Sequence, residues 1–341
     1  MQVLVVVIPA ANPPPMSRWF TLLLTFPVIL QAREVRDSDL AEPLESIGLI
    51  ACLRHTKEAP ALERYAVQEP DLLLWMGDNL YCDTLDMEEL KSAYAALAKR
   101  PDFKALESIP MMATWDDHDF GWDNSGASYP KRDESKAIFM DFWNFPDDPA
   151  VRARPGVYSA RVFGPSGKRV QVIMLDTRYS KDKTRMLSET QWKWLAEELE
   201  RPAEFRVIVS GQQVLLTEDS AFEAWSKAGK EQQRLLDLIR QKATEGVFLV
   251  SGDQHYAEIS EVAGGFGYDA VEFTFAGVNQ DEKESANRNR VGPVIHARDK
   301  AGFLTFEWGE TPSVTFRAVD TEGTELVSRK LSLADLRPAN P

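Results

Sequence analysis

Histidine and cysteine are scarce in this chain, with four and two respectively in 341 residues. A metal site made of histidines alone is therefore excluded. So is a disulfide framework, because two cysteines allow one bridge at most. A basic surface is missing too. Lys and Arg number 39 against 53 Asp and Glu, a formal net charge of −14. No basic patch is available to neutralise a phosphate backbone, so groove binding to nucleic acid is excluded. Small phosphate esters are not excluded, because a bound metal inverts the local sign of charge. There is no internal repeat, no long linker and no apolar run long enough to span a membrane.

The remaining composition, 44% hydrophobic and 27% charged, is that of an ordinary globular chain. The N-terminus reads differently from the rest. Residues 17–32, SRWFTLLLTFPVILQA, carry one cation, Arg18, then a short apolar run, then Ala32 as a small residue at a cleavage point. That is the pattern of a signal peptide, and no lipobox cysteine follows it. Residues 1–15 read as an upstream extension before the well-placed Met16. The expected organisation is a signal peptide over residues 1–32 and a single domain over 33–341, secreted or periplasmic. An ordinary buried N-terminal element is the alternative. Without residues 1–32 the chain keeps 38 cations against 53 anions.

The most informative stretch is Met111–Gly126, MMATWDDHDFGWDNSG. Asp116, Asp117, Asp119 and Asp123 crowd around His118, directly after a short apolar run. Like charges packed at the end of a buried strand cost free energy unless a metal or an arginine cluster offsets them. A solvated acidic loop would not need the interleaved Trp115 and Trp122. Two further segments share the design: LLLWMGDNLYCD at 72–83 and FLVSGDQHYAE at 248–258. Each is an apolar run, a Gly-Asp step, and then polar residues with ligand chemistry. Loops at the carboxyl ends of strands build the sites of open α/β sheets, and three such motifs point to one shared site.

Strand-length apolar runs recur at 47–53, 72–76, 109–114, 170–175, 207–209, 247–250 and 271–275. Helical spacing lies between many of them, at 87–100, 135–143 and 231–242, and a capping-box pattern at Ser188–Gln191 opens a helix through Leu199. After Val271 the chain turns to strands alone, at 304–308, 314–319 and 326–330. This pattern predicts an α/β fold with a mixed sheet and an antiparallel end. The segment 279–290 reads as a polar surface loop near the site.

Asp78, Asp117, Asp253, His255, Tyr81 and Cys52 offer a mixed ligand set. Phenolate and thiolate beside carboxylates favour ferric iron over zinc or magnesium. Asp78 could bridge two ions, a standard device for phosphoryl chemistry. His118, between two acids, suits an oriented general acid as well as a ligand. His55 and His296 carry no motif. Tyr81 as a packed aromatic and His255 as a core histidine are the plain alternatives.

These motifs carry a family resemblance. Cys52, then Gly77-Asp78-Asn79-Leu80-Tyr81, Ala113-Thr114-Trp115-Asp116-Asp117-His118-Asp119, Leu175-Asp176-Thr177-Arg178 and Ser251-Gly252-Asp253-Gln254-His255 resemble, in wording and order, the PhoD-like (alkaline phosphatase D) metallophosphatases over roughly residues 47 to 310. The segment 119–146 is similar to the shorter members, and Gln213 fits the family pattern. The resemblance implies a calcineurin-like metallophosphoesterase fold, with two mixed β-sheets sandwiched between helices. It implies hydrolysis of small-molecule phosphate mono- or diesters with ferric iron (Fe3+) and calcium (Ca2+). Cys52, Asp78, Tyr81 and Asp253 would hold iron. Asp78 would bridge to the calcium side, where His255 and the Asp116–Asp123 loop would bind, with Asp117 in the place of the superfamily's metal-binding Asn. Asn79, Asp123 and Gln213 are then candidate substrate contacts.

Two departures stand out. Asp123-Asn124 reverses the Asn-Asp usual in the shorter type, and Cys82 replaces a common glycine. A Cys52–Cys82 disulfide, which would remove the iron thiolate, is the competing reading of the cysteines. The expected reaction has metal-activated water attack phosphorus, with His118 assisting the leaving group. Arg178 either holds the phosphoryl oxygens or is a structural partner of Asp176. The alternatives are an enzyme confined to phosphodiesters, phospholipase-D-like, and a non-catalytic metal-binding relative.

Overall fold

The computed structural model describes residues 31–220, 222–242, 244–281 and 286–338. The signal-peptide expectation falls outside these, apart from Gln31 and Ala32. Twelve strands are described: β1 Ser46–Ile50, β2 Leu72–Met76, β3 Met111–Thr114, β4 Ser159–Phe163, β5 Val170–Met174, β6 Phe205–Ser210, β7 Val247–Ser251, β8 Ala257–Val262, β9 Ala270–Phe275, β10 Ala301–Glu307, β11 Ser313–Val319 and β12 Glu325–Ser332. They form two six-stranded sheets, ordered β12-β11-β10-β1-β2-β3 and β4-β5-β6-β7-β9-β8.

Both sheets are mixed. β1, β2 and β3 run parallel, and so do β5, β6, β7 and β9. Antiparallel strands close each sheet on its flanks: β10 to β12 on the first, β4 and β8 on the second. The parallel strands are near-continuous apolar runs because both of their faces are covered; β2, β5 and β7 are buried at every residue. Connections between them include the helices Met87–Lys99, Arg132–Phe142, Glu189–Glu198 and Glu231–Gln241. Ser188 caps the third of these, accepting from the Gln191 N–H at 3.1 Å, as its sequence pattern predicts.

Sequence periodicity found ten of the twelve strands and missed β4 and β8. These two sit at sheet edges. β4 is only partly buried and lacks a continuous apolar run. β8 carries the polar residues Glu258, Ser260 and Glu261, two of which are buried in hydrogen bonds rather than exposed.

The two sheets pack through aromatic side chains. Phe273 of β9 stacks on Phe316 of β11 at 4.8 Å, and Phe205 of β6 meets Phe306 of β10 at 5.5 Å. Gly302 in β10 permits the closest approach. A Cβ built there would lie 2.7 Å from the Phe275 ring of the facing sheet. Gly302→Ala is therefore expected to overpack the interior, at a cost of about 1–3 kcal/mol. Differential scanning fluorimetry should show a drop in Tm of at least about 2 °C; an unchanged Tm would mean that the sheets are not in close contact at this point.

Candidate metal centre and active site

Parallel strands all point their carboxyl ends the same way, and each sheet delivers its loops to one shared edge. From the first sheet come Cys52 after β1, Asp78 to Tyr81 after β2 and Asp116 to Asn124 after β3. From the second come Arg178 after β5, Gln212 after β6 and Asp253 to His255 after β7. The two edges are stitched together. The Thr114 hydroxyl donates to the Leu175 carbonyl at 2.7 Å. Gly277 N–H, after β9, reaches the Ala51 carbonyl, after β1, at 3.2 Å. Gly252 has no room for a side chain: a Cβ would stand 2.9 Å from the Met76 carbonyl of the other sheet.

The backbone at this edge is strained. Cys52, Asp78, Asp253 and His255 all adopt left-handed φ, between 50° and 68°, and Asp83 and Asn124 beside them do the same. Non-glycine residues held there cost free energy, and such strain concentrates at functional sites.

Three sets of possible metal ligands, each with its atoms within 4.8 Å of one another, overlap at Asp78: Cys52, Asp78 and His255; Asp78, Asp117 and His118; and Asp78, Asp116, Asp117 and Asp253. Tyr81 joins the first, its hydroxyl 3.1 Å from Asp78 Oδ2 and 2.9 Å from His255 Nε2. Cys52 Sγ lies 3.6 Å from the same carboxylate oxygen. The division between sides differs from the one the resemblance implies. His255 sits with Cys52 and Tyr81, whereas Asp253 sits with Asp116 and Asp117. Both cysteines are free, so the thiol of Cys52 is not taken up by a disulfide.

Electrostatics argue that a cation belongs here. Burial, then the neighbouring carboxylates, push Asp78 and Asp253 well above the usual carboxylate range. Burial and Asp78 raise the Cys52 thiol and the Tyr81 phenol in the same way. Asp117 Oδ1 is buried without a hydrogen bond. Oxygen, thiol, phenol and imidazole donors, with one carboxylate oxygen orphaned and two acids crowded without full compensation, are a set that hard and borderline metals fit.

Arg178 supplies a buried counter-charge to the acids of this cluster. Its guanidinium, fully buried, grips Asp116 with Nε at 2.6 Å and an Nη at 2.7 Å. It lies 3.4 Å from Asp117 Oδ1 and donates to Glu223 at 2.6 Å. Burial opposes the charge of Asp117, but Arg178 and His118 outweigh it and hold that carboxyl below its usual value.

His118 is oriented by Asp83, which pairs with Nδ1 at 2.7 Å, and by a tilted ring contact with Tyr81 at 4.2 Å. Burial works against its charge, but the Asp83 hydrogen bond and Asp117 raise its pKa. Its Nε2 is 4.0 Å from Asp123 at the exposed rim. These groups line a cavity of about 330 Å3 bounded by Asp78, Asp117, His118, Asp123, Asn124, Phe222, Glu223, Lys227, Asp253, Gln254 and His255. Larger clefts of about 600 and 630 Å3 elsewhere contain none of the three ligand sets.

Three sequence assignments do not match this placement. Arg178 lies behind the acids and outside the cavity lining, so its guanidinium is spent on carboxylates rather than on phosphoryl oxygens; Asp176 accepts only its backbone N–H, at 2.9 Å. Asn79 is fully buried, its amide donating to the Thr114 carbonyl and to Asp119 at 2.8 and 2.7 Å. Gln213 is buried in a network with Glu258 and Tyr256. Both are held away from the cavity by these bonds. Sequence reasoning missed Asp83, Glu223 and Lys227. Asp83 closes the second acidic motif and was legible there. Glu223 and Lys227 lie in a segment with no motif.

Two mixed sheets with flanking helices, gathering these donors at one edge, define the α/β metallophosphoesterase class. The chain belongs to the PhoD-like phosphatase family, whose model matches residues 47–327. Among solved structures it is similar to that of PhoD, with a TM-score of 0.69 and 16% identity over 87% of this chain and 72% of that one. It is also similar to the purple acid phosphatase PPD1 from yellow lupin (Lupinus luteus) seeds, with a TM-score of 0.62 and 12% identity over 85% and 54% of the two chains. A dimetal phosphatase from Danio rerio matches with a TM-score of 0.52 and 13% identity over 86% and 100%. No curated protein matches the chain.

The crowding has a consequence for the metal-free protein. For Asp78 the native pKa is raised, so stability falls as pH rises from the ordinary carboxylate range toward that raised value. Asp78→Asn removes the charge, and is expected to raise the Tm of chelator-treated protein at pH 7 while lowering the metal retained on purification. Calorimetry and plasma emission measure the two; a lower Tm in the metal-free variant would show that repulsion at Asp78 does not limit stability.

Proposed function

We propose that this protein hydrolyses small-molecule phosphate mono- and diesters at a centre of ferric iron and calcium. The observation that carries the reading is the position of Asp78, whose carboxylate belongs to all three ligand sets at one cavity. Cys52, Tyr81, His255 and Asp78 would hold iron; Asp78, Asp117 and Asp253 would hold calcium. Bound there, the ions would supply Lewis acidity toward phosphoryl oxygens and make water more acidic.

The chain's own residues supply the rest. Arg178 holds the Asp117 carboxyl below its usual value and fixes the direction of Asp116, whose pKa burial nevertheless raises to about 6. The strained backbone after β2 and β7 aims Asp78, Asp253 and His255 inward. Asp83 commits the Nδ1 side of His118, so Nε2 is the nitrogen that carries a proton to the departing ester oxygen. The Asp83 hydrogen bond and Asp117 raise the pKa of His118, which favours the protonated form a general acid needs.

His118→Ala is expected to lower kcat about 10²–10⁴-fold on p-nitrophenyl phosphate and its bis-ester, with metal content retained. A variant purified without metal would make His118 a ligand instead.

Phenolate and thiolate on ferric iron give charge-transfer absorption in the visible. The purified protein is expected to be coloured, and Tyr81→Phe and Cys52→Ser should each shift or weaken the band. A colourless, fully active, iron-free protein would remove iron from the reading and leave the phosphoesterase in place.

A further inference from the structure

The cavity walls are unevenly charged. Asp78, Asp117, Asp123, Glu223 and Asp253 line it, and Lys227 is the one lysine or arginine that does so among the described residues. Lys227 ends the short 3-10 turn Trp225–Lys227. That turn is anchored from below: Trp225 is fully buried, and its indole N–H donates to Ser210 Oγ at 3.0 Å. It is anchored on the cavity side by Glu223, which Arg178, Lys181 and Gln212 all hold. The exposed ammonium thus stands at the cavity mouth on a rigid support. One of its three protons is given to the Ser220 carbonyl at 2.6 Å, and the other two remain for a ligand.

A phosphate monoester carries one more negative charge than a diester once it is fully ionised. Metal ions held by the ligand sets would act on either ester, whereas a cation at the mouth gains more from the one with the extra charge. We propose that Lys227 is a specificity-determining residue that pairs with a non-bridging phosphoryl oxygen and favours dianionic monoesters over monoanionic diesters. This rests on the phosphoesterase reading of the same cavity.

The test compares K227M, K227Q and K227R in the metal-loaded protein. K227Q keeps a donor for the Ser220 carbonyl but loses the charge, so it separates electrostatic recognition from a structural tether. Two readouts are used: the ratio of kcat/KM for p-nitrophenyl phosphate to that for its bis-ester, and the Kd of inorganic phosphate by calorimetry at pH 8. In K227M and K227Q the ratio is expected to fall, and the Kd to rise, about three- to tenfold, with K227R close to wild type. A K227Q that matches wild type in both readouts overturns the proposal, as does an equal loss on both esters or no change in any variant. A wild-type protein that turns over neither ester, yet binds phosphate more weakly as K227Q, would remove the phosphoesterase reading and leave the anion contact standing.

Discussion

Carboxylate crowding at Asp78 is the constraint around which the rest of the structure is arranged. Asp78, Asp116, Asp117 and Asp253 place oxygens within 4.8 Å of one another, in a region that excludes most water. Left alone, such a group would protonate or push the loops apart. The protein answers on one side only. Arg178, buried behind the cluster, compensates Asp117 and in part Asp116, where burial still raises the pKa to about 6, and its charge on Asp253 is outweighed by burial and the neighbouring acids. The contrast appears in their proton affinities: Asp117 is held below its usual range, while Asp78 and Asp253 are driven far above theirs. The fold therefore keeps a deficit of positive charge at one place, which is what a cation site is.

Holding that deficit requires a stiff frame. Four donor residues occupy left-handed backbone conformations, and strain of this kind persists only where the surroundings over-determine it. The surroundings are two sheets whose parallel strands end at a common edge, where loops of one sheet bond to those of the other. The bonds from Thr114 to Leu175 and from Gly277 to Ala51 cross between the two sheets. Behind His255, the Lys300 ammonium donates to the Gly277 carbonyl at 3.0 Å, filling the space with a polar anchor; burial lowers its pKa to about 7.

Much of this was legible in the sequence, for a physical reason. Buried parallel strands need continuous apolar runs, and ligand loops need carboxylates directly after them, so β2, β3 and β7 announce both their strands and their motifs. The family motifs gave the ligand types, and the chain's membership makes their order intelligible. What stayed hidden was direction. Whether an arginine such as Arg178 faces the ligand or the acids behind it depends on the path of β5 relative to β3, which no local pattern encodes. Asn79 and Gln213 are misread in the same way: an amide that sits in a motif can serve the loop's own carbonyls as readily as a substrate. The assignment of Asp253 and His255 to the two sides of Asp78 likewise follows from a left-handed turn at both residues, which rotates adjacent side chains away from the positions an extended strand would give them. Glu223 and Lys227 carry no signal because their loop is defined by what it packs on, Trp225 and Arg178, rather than by its own composition.

The two kinds of cation at this edge divide the work by depth. Arg178 is dry, bidentate and permanently charged, so it can fix the shape of the acidic cluster but cannot reach a ligand. Lys227 is wet and compact, and is held by a single carbonyl; it contributes little to the fold and is free to meet a charge arriving from solvent. Exchanging their positions would defeat both, since a flexible ammonium among buried acids would lose the geometry that Arg178 imposes, and a guanidinium tied to carboxylates at the mouth would close it. That arrangement leaves the space between them, where Asp78 and Asp253 point, as the part of the site that only an incoming cation can complete.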